Sequence, residues 1–279
     1  MYISLIDRLI NLAIDEDIGK GDLSTDSIKS YLGKGTFEFL AKEEFILCGI
    51  DVVRRVFELI DSDLDVHFFR KDGDMVPKSD VIGSVKGDVA SILKGERIAL
   101  NFLQRMSGIA TNTYNFVEKL KYSNIKILDT RKTLPGHRIL EKYSVKTGGG
   151  YNHRFGLFDG VMLKDNHIDA VGGIRKAVEI VRRNIPITVK IEVETRNLIE
   201  VKEAVEAGVD IIMLDNFDIE MISAAADIIG GKSKIEVSGG VTINNIDKYK
   251  DLPIDYISVG ALTHQARSVD ISLKYRGEI

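Results

Sequence analysis

The second half of the chain carries six apolar runs: IKIL (125–128), GVML (160–163), ITVKIEV (187–193), VDIIML (209–214), KIEV (234–237) and YISV (256–259). Helical patterns such as GGIRKAVEIVRR, NLIEVKEAVEAG and DIEMISAAADIIGG lie between them. Strand followed by helix, repeated, requires a parallel sheet with right-handed crossovers. The last four runs start at residues 187, 209, 234 and 256, a spacing close to the minimum for a βα unit, which favours a barrel over a flat sheet with long insertions. Six strands are fewer than the usual eight, so the expected architecture is an open, incomplete α/β barrel.

The part before residue 107 has no such rhythm. Leu5, Ile6, Leu9, Ile10, Leu12 and Ala13 form a helical stripe, TFEFLA and LDVHFF alternate like strands, and DVVRRVFELI reads as a helix. This half reads as α+β. Residues 91–106 continue as a helix, and Ser107 and Gly108 predict a break before a second helix ending near Leu120. Three segments follow: an N-terminal domain over 1–107, the barrel over 108–265, and a tail over 266–279.

Composition narrows the function classes. A net charge of −4 supplies no general attraction to nucleic acid or an anionic membrane. The apolar runs are too short to span a bilayer. The N-terminal segment reads as an amphipathic helix and not as a signal peptide. Cys48, the single cysteine, is expected to be a small buried hydrophobe in a reducing, cytoplasmic setting.

The residues that follow each apolar run are the informative ones. They are Asp129, Thr130, Arg131 and Lys132; Lys164, Asp165 and Asn166; Glu194; Asp215 and Asn216; Ser238, Gly239 and Gly240; and Gly260. In parallel α/β folds the carboxyl ends of the strands form the ligand-binding face. Alternation directs Glu192 and Glu194 to the same side, toward the interior. Lys164 adjoins apolar residues, so it must meet Asp165, Glu194, Asp215 or an anionic ligand.

Between Arg131 and His167 seven lysines and arginines face three acids, a cationic segment in an acidic chain. Glu141, Lys142 and Lys146 are expected to be a solvated helix face. Arg131, Lys132, Arg154 and Lys164 flank strand ends or the TGGGYNHR stretch and point to a multiply charged anion as ligand. The glycines at 239, 240 and 260 allow backbone N–H groups to approach a phosphate. Histidines 67, 137, 153, 167 and 264 show no zinc-ligand spacing, and His67 and His264 read as structural. Glu194 and Asp215 suit a hard cation such as Mg²⁺ held partly by substrate phosphates.

The motifs EDIGKGDLSTD, GERIALNFLQRMSGIAT, the block LDTRKTLPGHRILEKYSVKTGGGYNHRFGLFDGVMLKDNHI, KIEVET, IIMLDN, EVSGGVT and ISVGALTH resemble, in order and over nearly the whole chain, the quinolinate phosphoribosyltransferase family. The resemblance implies an N-terminal α/β sandwich followed by an open α/β barrel. It also implies transfer of phosphoribosyl from 5-phosphoribosyl-1-pyrophosphate to quinolinate with loss of CO2, in the presence of Mg²⁺. By position, Thr130, Arg131, Lys132, His153, Arg154 and Lys164 would hold quinolinate, with Arg97 entering from a partner subunit of a homodimer; hexamers also occur in the family. Glu194 and Asp215 would face the ribose and the metal, and Ser238, Gly239, Gly240, Gly260 and Ala261 the 5-phosphate. Lys132, Lys164, Glu194 and Asp215 would be the catalytic set. Val237 before the SGG turn and residues 265–268 depart from the family pattern.

Three alternatives accompany this reading. One is a related barrel protein of molybdate-transport loci, against which the full cation set argues. The others are a lyase forming a Schiff base at Lys164 or Lys190, and a sensor that binds phosphoribosyl ligands without turnover.

Overall fold

The computed structural model describes residues 3–278. Contacts divide the chain into two compact units. The first holds the residues up to Tyr114, then Thr133–Gly149, then those from Gln265 on; the second holds Asn115–Lys132 and Gly150–His264.

In chain order, the first stretch contains α1 (Ile3–Asp17), α2 (Leu23–Ile28), β1 (Lys34–Ala41), β2 (Phe45–Ile46), α3 (Ile50–Ile60), β3 (Asp65–Phe68), β4 (Met75–Val76), β5 (Val81–Asp88) and α4 (Val89–Lys119). Then follow β6 (Lys126–Leu128), α5 (Arg138–Thr147), β7 (Val161–Leu163), α6 (Asp165–Val171), α7 (Ile174–Asn184), β8 (Ile191–Thr195), α8 (Leu198–Glu206), β9 (Ile211–Asp215), α9 (Ile219–Ile229), β10 (Lys234–Ser238), β11 (Tyr256–Ser258), α10 (Ala261–His264) and β12 (Ile271–Glu278).

The first unit is built on an antiparallel sheet of order β12-β1-β5-β3. β1 alternates buried and half-exposed positions along its length, as a strand with one covered face must. Its inward Phe39 stacks on Phe68 at 5.1 Å between ring centres and meets Phe57 edge-on at 6.4 Å. Phe57 comes from α3, whose Val52, Val53 and Val56 share the same buried stripe. The tail strand β12 pairs with β1 from Gly35 to Ala41.

The break expected at Ser107 and Gly108 does not occur. α4 runs through both residues without interruption, because each has a tertiary purpose there. Ser107 Oγ accepts the Cys48 N–H at 3.0 Å and donates to the Cys48 carbonyl at 3.2 Å. A Cβ at Gly108 would stand 2.0 Å from the Arg267 carbonyl oxygen, so the glycine permits close backbone approach and does not end the helix. Cys48 itself is fully buried, and burial pushes its thiol up to about 12, far from the reactive thiolate.

A second correction concerns α5. Glu141 and Lys142 are buried and only Lys146 is exposed. α5 packs within the first unit, and Glu141 Oε1 accepts a bond from Arg105 Nη2 of α4 at 2.8 Å. Charge alone had marked these residues as a water-facing surface; a buried ion pair carries the same signature in sequence.

The second unit contains a six-stranded parallel sheet of order β6-β11-β10-β9-β8-β7. Its two terminal strands, β6 and β7, do not pair with each other, so the barrel is open between them. The register aligns Glu194 with Met213 and Met213 with Glu236. Glu192, Glu194, Met213, Asp215, Glu236 and Ser238 therefore share the interior face, while Val193, Ile212, Leu214, Ile235 and Val237 pack outward. β8 begins at Ile191 and not at Ile187, because the Val189 N–H closes a turn on the Pro186 carbonyl at 3.0 Å and delays the strand. No helix among the described residues is long and apolar enough to cross a membrane.

Candidate active site

The strand ends of the second unit surround a cavity of about 390 Å³ lined by Thr130, Arg131, Lys132, His153, Arg154, Met162, Lys164, Glu194, Met213, Asp215, Glu236, Ser238 and Ser258. Seven groups of residues far apart in sequence meet here because parallel strands release their side chains at one rim.

The cations are held in different ways. Lys164 precedes α6, and its Nζ contacts Glu194 Oε2 from the neighbouring strand. Its backbone N–H is taken by His167 Nδ1 at 3.1 Å. Lys132 is fixed through its backbone: its N–H bonds Thr130 Oγ1 at 3.0 Å and its carbonyl accepts from Thr263 Oγ1 at 2.7 Å. The stem of Lys132 runs so near Gly260 that a Cβ there would stand 2.9 Å from Cδ.

His153 and Arg154 reach the rim on a segment that borrows the edge of β6. Tyr151 bridges to Leu128 in parallel. The Tyr151 N–H and carbonyl pair with the Ile127 carbonyl at 2.8 Å and the Asp129 N–H at 3.0 Å. Fully buried Asp129 then accepts the His153 N–H at 2.8 Å and Asn152 Nδ2 at 2.6 Å. Arg154 Nη1 donates to the Gly160 carbonyl at 3.1 Å. Burial, with Arg131 nearby, depresses the Arg154 pKa, which an anionic ligand would offset.

Beneath the cations lies an acidic layer. His153 Nε2 is 2.9 Å from Glu192 Oε2 and 3.5 Å from Glu236 Oε2. Burial opposes protonation of His153, but the bonds and charges of the two carboxylates prevail and push it up to about 10. Nδ1 accepts the Arg154 N–H at 2.7 Å, which counters that push by reserving the ring's one proton for Nε2, facing the carboxylates. The three residues offer ligand atoms within 4.8 Å of one another. A cation would need Nε2, however, and that is the nitrogen this pattern leaves protonated.

Burial, countered by His153 and reinforced by Glu236, pushes Glu192 up from 4.5 to about 6. A carboxyl raised in the folded state contributes stability that is complete below about pH 4.5 and lost as pH rises through about 6. Glu192→Gln removes that loss. Its stability relative to the parent protein should improve by about 2 kcal/mol between pH 4.5 and pH 7, as read from urea midpoints at each pH; a constant difference would refute this.

Of the residues expected from sequence, Thr130, Arg131, Lys132, His153, Arg154, Lys164, Glu194, Asp215 and Ser238 share this cavity. Gly239 and Gly240 follow Ser238 with positive φ of 94° and 64°. Gly239 is required for a further reason, since a Cβ would fall 2.2 Å from Asn216 Oδ1. Gly260 and Ala261 open α10 just after Ser258, outside the lining set. Arg97 is exposed on α4, in the first unit. Glu236, Ser258 and the two methionines were not anticipated. Counting back two residues from Ser238 would have placed Glu236 on the interior face.

A larger hollow of about 570 Å³ lies at the opposite strand ends, where Asp210 and Asp255 are committed to structure. Asp210 accepts the Ile191 N–H at 2.9 Å, and Asp255 accepts the Ile235 N–H at 2.9 Å and Lys234 Nζ at 2.6 Å.

An open parallel barrel with a cation-rimmed, acid-floored cavity at its strand ends defines an enzyme for small polyanions. Family comparison gives the particular kind. The N-terminal domain of quinolinate phosphoribosyl transferase matches residues 22–107 and its C-terminal domain residues 109–274, and the chain belongs to that family. A probable nicotinate-nucleotide pyrophosphorylase [carboxylating] of Bacillus subtilis is 44% identical over 268 residues, covering 95% of this chain and 92% of that protein. The crystal structure of NadC from Streptococcus pyogenes superposes with a TM-score of 0.95 at 44% identity, covering 99% of both chains. The nicotinate-nucleotide pyrophosphorylase of Francisella tularensis gives 0.94 at 40% identity, covering 98% of this chain and 96% of that one.

Proposed function

We infer that this enzyme joins quinolinate to 5-phosphoribosyl-1-pyrophosphate, releasing pyrophosphate and CO2 and forming nicotinate mononucleotide, a step of NAD biosynthesis. The observation that carries the assignment of roles is the meeting of Arg131, Lys132, Arg154 and Lys164 with Glu194 and Asp215 around one cavity. Quinolinate has two adjacent carboxylates, and charge-assisted bonds from guanidinium and ammonium groups fix both while orienting the ring nitrogen toward the anomeric carbon. Such positioning supplies much of the rate.

As pyrophosphate departs, positive charge develops on the ribose. Glu194 and Asp215 on neighbouring strands favour that charge, and Lys132 and Lys164 favour the negative charge of the leaving group. Both carboxylates are already oriented, Glu194 by Lys164 and Asp215 by Asn216 Nδ2 at 2.8 Å. They are oxygen donors of the kind Mg²⁺ takes alongside substrate phosphates. Bound there, Mg²⁺ would neutralise charge on the pyrophosphate. Ser238, with the backbone of Gly239, Gly240, Gly260 and Ala261, is suited to the 5-phosphate.

The exposed Arg97 completes the site of a partner subunit in a homodimer, and the enzyme works in the cytoplasm. Purified protein should release CO2 from quinolinate only when phosphoribosyl pyrophosphate and Mg²⁺ are both supplied. Arg97→Ala and Lys164→Ala proteins, inactive separately, should regain up to about a quarter of the activity when mixed, because a mixed dimer assembles one intact site. Absence of recovery despite measured subunit exchange would exclude the shared site.

A further inference from the structure

The cavity has walls and a floor of opposite character. Its cations stand at the strand ends, whereas Glu236 lies in mid-strand, level with Met213, and is fully buried. Neither oxygen of Glu236 accepts a well-directed hydrogen bond among the described residues, and the same is true of Ser258 Oγ on the adjacent strand β11. His153 Nε2 is 3.5 Å from Glu236 Oε2 but donates to Glu192 at 2.9 Å. Buried polar atoms without partners are rare in folded proteins. These ones border the cavity from beneath its accessible surface, so the carboxylate acts on what enters through its charge.

An ionised carboxylate accepts hydrogen bonds and donates none. Placed under the ring of a bound pyridine, it repels a carboxylate directed inward and favours positive charge on the ring. We propose that Glu236 is a specificity-determining residue, an anionic floor that forces both carboxylates of the substrate to the cationic wall and excludes rings that would direct one downward. The proposal rests on quinolinate being the substrate. It has a second consequence for the reaction itself. When the ring nitrogen lone pair forms the bond to the anomeric carbon and the bond to pyrophosphate breaks, pyrophosphate keeps the electron pair and the ring becomes a pyridinium cation. Glu236 is placed to favour that charge.

The test is Glu236→Gln, which keeps the shape and removes the charge. Inhibition constants are measured for pyridine dicarboxylates whose two carboxylates are not adjacent on the ring. In the variant they should tighten on the order of tenfold relative to quinolinate, while kcat for quinolinate falls by a similar factor. Tighter anion binding together with slower turnover is a signature that a loosened pocket does not give, since loosening weakens every ligand. Glu236→Asp, which keeps the charge, should retain the parent discrimination and serves where the glutamine variant does not fold. Unchanged inhibitor ratios in Glu236→Gln, uniformly weaker binding, or lost discrimination in Glu236→Asp would each overturn the proposal. Turnover of quinolinate by the parent enzyme is measured alongside. Its absence would reject the substrate, whereas unchanged inhibitor ratios with normal turnover would reject only the floor.

Discussion

Lys164→Ala should lower kcat/KM for quinolinate by roughly 10²- to 10³-fold, the largest loss expected of any single change in the cavity. Two effects combine. The substrate loses a charge-assisted partner, and Glu194, whose side chain is 13% exposed, loses the cation it contacts. A carboxylate left unpaired among partly buried neighbours repels the anions the site must hold. The double variant Lys164→Ala, Glu194→Gln should therefore be less impaired than the product of the single effects. Steady-state kinetics on the four proteins settles this; strict additivity would show that Lys164 acts on substrate independently of Glu194.

Arg105→Leu should cost about 3–5 kcal/mol of stability, the range for stranding a buried charge. Glu141 is 1% exposed and receives Arg105 Nη2 at 2.8 Å, and Nη1 of the same arginine holds the Ala266 carbonyl at 2.6 Å. Urea titration of Arg105→Leu and of Arg105→Leu, Glu141→Leu separates the two contributions. The double change should recover most of the loss, because apolar side chains of similar size can replace a buried pair. A single variant as stable as its parent would show that the pair contributes nothing.

The barrel was legible because its strands are largely buried, which leaves short runs whose outward positions are all apolar, and because compact βα units give them a regular spacing. The rim was legible for the same reason: a chain that turns polar six times in register does so at one end of a parallel sheet. The missing features are tertiary. Gly108 looks like a helix stop until the Arg267 carbonyl is seen against it. Glu141 and Lys142 look solvated until α5 is found within the first unit. Glu236 hides inside KIEV, where the alternate Ile235 and Val237 invite a reading as plain strand, although its full burial 3.5 Å from His153 Nε2 is the most informative polar feature of the interior.

The interleaving of the two units has a consequence for how such chains can be cut and joined. The path crosses from one unit to the other at Tyr114, returns at Thr133, leaves again at Gly149 and comes back at Gln265. Neither unit is a transferable cassette. A splice placed at 107 would leave β1 with bare N–H and C=O groups along Gly35–Ala41 where β12 had paired, and an open strand edge invites association with other chains. Shuffling between relatives is accordingly constrained to exchange β1 with the last strand of the chain, and α4 with the helix that supplies Glu141.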